Sequence, residues 1–164
     1  HGNADDYYDP RNSFLDEVLD RKTGIPITLA VLLLEVGRRA SLDLAGVSFP
    51  GHFLVRAETP AGLLLVDPFS GRLVERAELR ALHLRATGNE GDPPPRMLDA
   101  AGKRPILLRM LANLRGIYTA RADEDHLRAV LERTQVLAPS DELAREIARL
   151  GGSAPARSPG RALN

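Results

Sequence analysis

An apolar run at residues 25–34 constrains the fold more strongly than any other feature of this sequence. Pro26 lies near its start, and proline suits the first turn of a helix because its missing N–H needs no partner there. Apolar side chains continue to about Ala40 and cover nearly the whole circumference of a helix. The pattern therefore predicts a central helix wrapped by other elements. The run is too short to span a bilayer, so we expect no membrane association.

The composition argues against several classes of protein. The 164 residues contain 22 basic and 22 acidic side chains, and this balance argues against a nucleic-acid-binding surface. Cysteine is absent, which excludes disulfides, thiolate metal sites and thiol nucleophiles. The four histidines lack metal-ligand spacing, so we predict neither a metal nor a cofactor. No secretory leader is visible in the sequence, and we expect a cytoplasmic location.

Short apolar segments after residue 41 predict an antiparallel sheet. The strand candidates are residues 47–49, 52–56, 63–67 and 72–75. Proline and glycine between these segments indicate turns. A buried helix followed by short strands is typical of an α+β domain, which we assign to residues 1–86.

The rest of the chain predicts a linker, a helical segment and a tail. Residues 87–104 are rich in proline and glycine and form the expected linker. Apolar residues at helical spacing predict three packed helices over residues 105–150. Residues 151–164 have little apolar surface to bury, which predicts a flexible tail. We interpret the arginines of the first two of these helices as a solvated surface: Arg104, Arg109, Arg115, Arg121, Arg128 and Arg133.

His52 and Asp67 form a candidate pair on the two central strands. If the hairpin turn is centred between Thr59 and Pro60, His52 lies directly opposite Asp67. A carboxylate beside an imidazole fixes its tautomer and raises its basicity, as a catalytic base requires. The same contact can also serve only to satisfy two buried polar groups.

Several motifs, taken together, resemble the SirB family of transglutaminase-like proteins. Tyr-Tyr-Asp-Pro-Arg-Asn-Ser-Phe-Leu and Thr-Gly-Ile-Pro-Ile-Thr-Leu are two of them, and Phe-Pro-Gly-His-Phe-Leu-Val-Arg and Val-Asp-Pro-Phe are two more. The resemblance covers about residues 5–150, and its motifs lie at residues 7–15, 23–29, 34–39, 49–56, 66–69 and 108–115.

The resemblance implies a papain-like α+β core followed by tetratricopeptide-like helices, and a protein that lacks an N-terminal portion here. It implies a catalytic histidine at His52, an aspartate at Asp67 and a nucleophile near residues 26–28. Papain-like enzymes place cysteine there, because the helix dipole and the histidine lower its pKa. This chain has no cysteine, and Thr28 is the nearest hydroxyl that could replace the thiol.

We therefore expect a non-catalytic transglutaminase-like protein, a bacterial pseudoenzyme that acts as an intracellular scaffold or protein-interaction module with a protein partner. His52 and Asp67 would then be a remnant dyad without its nucleophile. The alternative is an amidase, protease or acyltransferase that uses His52 and Asp67 with a non-cysteine nucleophile such as Thr28.

Overall fold

The computed structural model describes residues 1–151, over which helices flank a small antiparallel sheet. A 3₁₀ turn at Pro10–Ser13 precedes the first α-helix. The α-helices are α1 (Leu15–Arg21), α2 (Pro26–Arg39), α3 (Arg76–Thr87), α4 (Lys103–Ala120), α5 (Glu124–Leu137) and α6 (Asp141–Gly151). The strands are β1 (Leu44–Val47), β2 (Leu54–Thr59), β3 (Gly62–Asp67) and β4 (Arg72–Leu73). The predicted mixture of helices and a small antiparallel sheet is confirmed.

The helix predicted from the apolar run is α2, and it begins at Pro26 as expected. Its first turn is buried, and Ile27 is only 2% exposed. The second half is less enclosed than predicted, since Val36 is 62% exposed. Neighbouring elements within residues 1–151 therefore cover α2 mainly at its N-terminal end.

The sheet has the order β1-β2-β3-β4, with every neighbouring pair antiparallel. The expected register of the central hairpin is wrong by two residues, because Arg56 rather than Leu54 pairs with Leu65. The last pair of the hairpin is Thr59 with Gly62, so the turn is centred one residue later than predicted. A shift of two residues leaves each side chain on its predicted face, since side chains alternate with a period of two.

Each face of the sheet packs against helices. On one face, Phe53 and Val55 of the β2 region form a core cluster with Ile27 of α2 and Ile106 of α4. On the other, Leu54 and its neighbours form a second cluster, covered by apolar residues of α3 and of the 3₁₀ turn Pro95–Leu98. The alternation along β2 places consecutive residues in different clusters. Part of the expected linker is thus packed against the sheet.

Buried polar residues attach the N-terminal segment to the core. Asn12 is fully buried, and its side-chain amide donates to the carbonyl of Asp6 at 2.7 Å. Asp9 is 5% exposed, accepts hydrogen bonds from Arg11 and forms an ion pair with Arg21 at 3.3 Å. These contacts fix the chain on both sides of the 3₁₀ turn, just before it reaches α1.

Helix α4 belongs both to the core and to the C-terminal helices. Ile106 lies in the α2–sheet cluster, whereas Leu114 and Tyr118 pack with Val130 of α5. Helix α6 packs against α5. The predicted tail lies outside the described residues except for Gly151, which ends α6.

Gly46 of β1 provides a test of how tightly this core is packed. A Cβ atom at Gly46 would lie 2.9 Å from the ring of Phe53 and 3.4 Å from Ile106. We expect Gly46→Ala to lower the free energy of unfolding by about 1–3 kcal/mol, because the buried ring must move. Urea denaturation followed by circular dichroism measures the change.

Gly116 on α4 is the matched control, because a Cβ there meets no atom within 4 Å. Gly116→Ala should leave stability unchanged or raise it by up to about 1 kcal/mol through helix propensity. Equal effects of the two substitutions would contradict the packing argument.

Candidate functional site

A tight turn between β1 and β2 places His52. The backbone N–H of His52 donates to the carbonyl of Phe49 at 3.0 Å, which closes the turn over Pro50 and Gly51. Gly51 has a φ of 71°, a conformation that glycine adopts without steric cost. The Pro-Gly pair recognised in the sequence therefore fixes the direction in which the histidine leaves the strand.

His52 lies beside Asp67 as predicted, although the register behind that prediction was wrong. The Nε2 atom of His52 is 3.1 Å from Oδ1 of Asp67. In the observed register Leu54, and not His52, is the position opposite Asp67. His52 lies two positions before Leu54, so its side chain meets Asp67 along the diagonal. Contact with the carboxylate favours the tautomer with the proton on Nε2, which leaves Nδ1 free to accept a hydrogen bond.

Asp67 is held as a carboxylate by several donors. Burial favours the neutral acid, but hydrogen bonds from His52, the Phe69 amide and Ser70 outweigh it and lower the pKa of Asp67. The Phe69 N–H lies 2.9 Å from Oδ1 of Asp67. The Asp-Pro-Phe motif thus supplies both the carboxylate and one of its donors.

Aliphatic residues occupy the start of α2, where the family resemblance placed the nucleophile. Pro26 and Ile27 line a cleft of about 170 Å³ together with His52. Thr28 is fully buried and is not among the residues that line this cleft. The structure therefore brings His52 and Asp67 together but does not add Thr28 to them.

The Thr28 hydroxyl is already used in local hydrogen bonds. Its Oγ1 donates to the carbonyl of Asn12 at 2.8 Å, lies 3.1 Å from the carbonyl of Ile25, and accepts from the Ile25 N–H at 3.2 Å. Attack on a substrate would require these bonds to break. The geometry is that of a buried capping residue.

Three further cleft residues were not identified as site residues in the sequence. Tyr7 packs against Phe69, with ring centroids 6.2 Å apart, and it lines the cleft together with Arg109 and Asn113 of α4. Arg109 was wrongly assigned to a solvated surface. The four-residue spacing of Arg109 and Asn113 was the available signal, because it places both on one side of a helix.

Two other kinds of site are not found in the described part of the chain. No group of three or more His, Asp or Glu side chains within residues 1–151 is arranged to hold a metal ion. Among the helices of the same residues, none has the length and apolar character needed to cross a membrane.

Removing the Thr28 hydroxyl should destabilise the fold. Thr28→Val keeps the side-chain volume but leaves the Asn12 carbonyl and the Ile25 N–H without their partner. We expect a loss of about 1–3 kcal/mol in the free energy of unfolding, measured in urea. Thr119→Val on the exposed side of α4 is the control, and an equally large loss there would contradict this role.

Asp67 should contribute to stability in a pH-dependent way. Its pKa is lower in the folded chain than in the unfolded one, so its contribution is complete above about pH 4. That contribution disappears as the pH falls through the folded-state pKa. We expect Asp67→Asn to cost about 1–2 kcal/mol at neutral pH, and the difference from the unmodified protein to shrink in acid.

Urea denaturation at a series of pH values measures the effect of Asp67→Asn. Asp43→Asn is the control, because Asp43 is exposed and makes no ion pair within residues 1–151. A cost of Asp67→Asn that stays constant from neutral pH to strongly acidic pH would refute the assignment.

Comparison with known proteins gives the family. The family described as "Transglutaminase-like superfamily" matches residues 1–112. A UPF0162 protein of Xylella fastidiosa (strain Temecula1) is 43% identical over 143 residues, which cover 85% of this chain and 51% of that protein. A UPF0162 protein of Pseudomonas aeruginosa is 37% identical over 114 residues, or 70% of this chain and 42% of that protein.

A shorter match reaches a eukaryotic protein. F-box only protein 21 of Homo sapiens is 46% identical over 55 residues, which are 34% of this chain and 9% of that protein. No solved structure matches the chain. The chain spans about half the length, or less, of the bacterial relatives it matches. The family match extends over the helix α2, the sheet and the first half of α4, and the chain belongs to the transglutaminase-like superfamily.

Proposed function

We propose that this chain is a non-catalytic transglutaminase-like protein that works as a protein-interaction module. One observation carries the proposal: the residues beside His52 at the start of α2 are Pro26 and Ile27, which have no nucleophilic atom. Acyl transfer in a papain-like site needs a nucleophile that the histidine can deprotonate. The chain has no cysteine that could move into this position.

The rest of the site supports binding. The His52–Asp67 pair leaves Nδ1 of the imidazole available, and Tyr7, Arg109 and Asn113 add polar groups around it. Such a cleft can hold an amide or carboxyl group of a protein without cleaving it. The alternative enzyme built on Thr28 requires the hydroxyl to leave the three contacts described above.

The finer assignments belong to the same proposal. We place the chain in the SirB branch of the superfamily, with a cytoplasmic location and a protein partner. We regard α4, α5 and α6 as a short tetratricopeptide-like segment, because consecutive helices pack on one another. Such arrays need about three repeats to be stable alone, and these helices instead continue the core through Ile106.

Turnover assays test the non-catalytic part. Purified protein is incubated with a panel of amide and glutaminyl peptides, with and without an acceptor amine, and the products are followed by mass spectrometry. We expect no turnover and no covalent acylation of the protein. Activity that disappears in His52→Ala, or an acyl group on any hydroxyl of the chain, would make it an enzyme.

Affinity capture tests the binding part. Native protein should recover a partner that Asn113→Trp, which fills the cleft, no longer recovers. Arg104→Gln, on the exposed side of the same helix, should recover it normally. Thermal unfolding of both variants checks that the fold is intact. A partner captured equally by all three proteins would place binding elsewhere.

A further inference from the structure

Arg109 is a half-buried cation that has no acidic partner among residues 1–151. Its Nη1 atom donates to Oγ of Ser48 and to the carbonyl of Phe49, both at 2.8 Å. The guanidinium lies over the ring of Phe53, 5.7 Å from its centroid. Within residues 1–151 no carboxylate forms an ion pair with it, whereas Arg115 on the same helix pairs with Glu146 at 2.8 Å. Two hydrogen bonds therefore hold the cation in place, and its Nε and Nη2 atoms donate to no residue in the range 1–151.

Two side chains near Arg109 also have no hydrogen-bond partner within the described part of the chain. Asn113 lies one helical turn further along α4, and its amide makes no hydrogen bond to any residue in the described range 1–151. The Tyr7 hydroxyl likewise makes none there, although it lies close enough to Arg109 to interact electrostatically. Arg109, Asn113 and Tyr7 all line the same cleft of about 170 Å³.

The chemistry of this set indicates a carboxylate. Partly burying a guanidinium has an energetic cost that an anion in contact with it offsets. The free edge of the guanidinium matches the two oxygens of a carboxylate, and Asn113 and Tyr7 can donate to the same group. A phosphate dianion is a poorer match, because Arg109 is the only lysine or arginine within residues 1–151 that lines the cleft.

A second cavity next to the cleft indicates that the carboxylate belongs to a peptide with apolar side chains. It has a volume of about 440 Å³, runs along α4 past Gly116 and Ala120, and shares Asn113 with the cleft. Tyr8 and Ile117 give it a largely apolar lining. The cleft has less than half the volume of this cavity, which favours a peptide that lies along α4 and places its terminal carboxylate at Arg109.

We propose that the cleft at Arg109 and Asn113 binds the C-terminal carboxylate of a partner protein, whose apolar side chains lie in the cavity along α4. This inference rests on the proposed binding function and names the chemistry that the site recognises. Arg109 receives the carboxylate, and Asn113 and Tyr7 complete its hydrogen bonds.

Titration with three peptides tests the inference by nuclear magnetic resonance of nitrogen-15-labelled protein. The probes are N-acetyl-Ala-Leu-Leu as the free acid, the same peptide as its C-terminal amide, and N-acetyl-Leu-Asp-Leu amide. We expect the acid to shift the Nε–H signal of Arg109 and the side-chain amide of Asn113. The amide of the same peptide should bind at least about tenfold more weakly, because a bond to a charged group is lost. The aspartyl peptide should also bind at least about tenfold more weakly, because its carboxylate is on a side chain and not at the end of the chain.

Variants identify the residues responsible. Arg109→Gln and Asn113→Asp should each weaken binding of the acid at least about tenfold. Arg104→Gln, which removes a cation from the exposed side of α4, should leave it unchanged. Asn113→Asp keeps the test valid if Arg109→Gln fails to fold, because it leaves the contacts of Arg109 with Ser48 and Phe49 in place.

The outcomes separate this inference from the proposed function. Equal binding of acid and amide, no binding of any peptide, or insensitivity to Asn113→Asp would overturn carboxylate recognition. Equal binding of the aspartyl peptide would overturn the assignment to a chain terminus. Mass spectrometry of the probes after titration tests the proposed function separately. Cleavage or transfer of a peptide would overturn the non-catalytic proposal and not carboxylate recognition.

Discussion

The hydrogen bonds of the buried Thr28 hydroxyl stabilise the junction between the N-terminal segment and the central helix α2, on which the rest of the fold depends. They join the first turn of α2 to the carbonyl of Asn12, and so tie the N-terminal segment to the central helix. Asn12 in turn holds the backbone near Tyr7, whose ring lies at the cleft. Unsatisfied polar groups are costly in the interior, so these hydrogen bonds are kept in the folded chain. They determine where the N-terminal segment meets α2 and where Tyr7 lies in the wall of the cleft. Thr28, the nearest hydroxyl to the expected nucleophile position, is therefore already occupied by local hydrogen bonds.

Helix α4 links the core to the C-terminal helices and supplies two of the cleft's polar side chains. Ile106 anchors the helix against α2 and the sheet, and Leu114 packs it against α5. Between these two contacts, Arg109 and Asn113 face the cleft beside His52. A site that combines residues from the core and from the following helix depends on their rigid packing. In this arrangement, the same buried contacts that stabilise the fold also determine the position of the Arg109 guanidinium.

Much of the fold was predictable from local patterns, whereas the site was predictable only in part. The start of α2 at Pro26 and the turn before His52 follow from the conformational preferences of proline and glycine. The hairpin register was wrong by two residues, because turns that contain proline vary in where they centre. The contact of His52 with Asp67 was still predicted, since a shift of two preserves the face of the sheet.

The sequence by itself determined that these 164 residues contain no thiol, that a buried helix precedes a small antiparallel sheet, and that His52 and Asp67 lie near each other. Only the tertiary structure decided that Thr28 is enclosed by hydrogen bonds and that Arg109 is half-buried and bonded to Ser48 and Phe49. Periodicity indicates which side of a helix is apolar, but it does not specify which other segment covers that side. The partners of Arg109 come from residues about sixty positions earlier in the chain, and only folding brings such segments together.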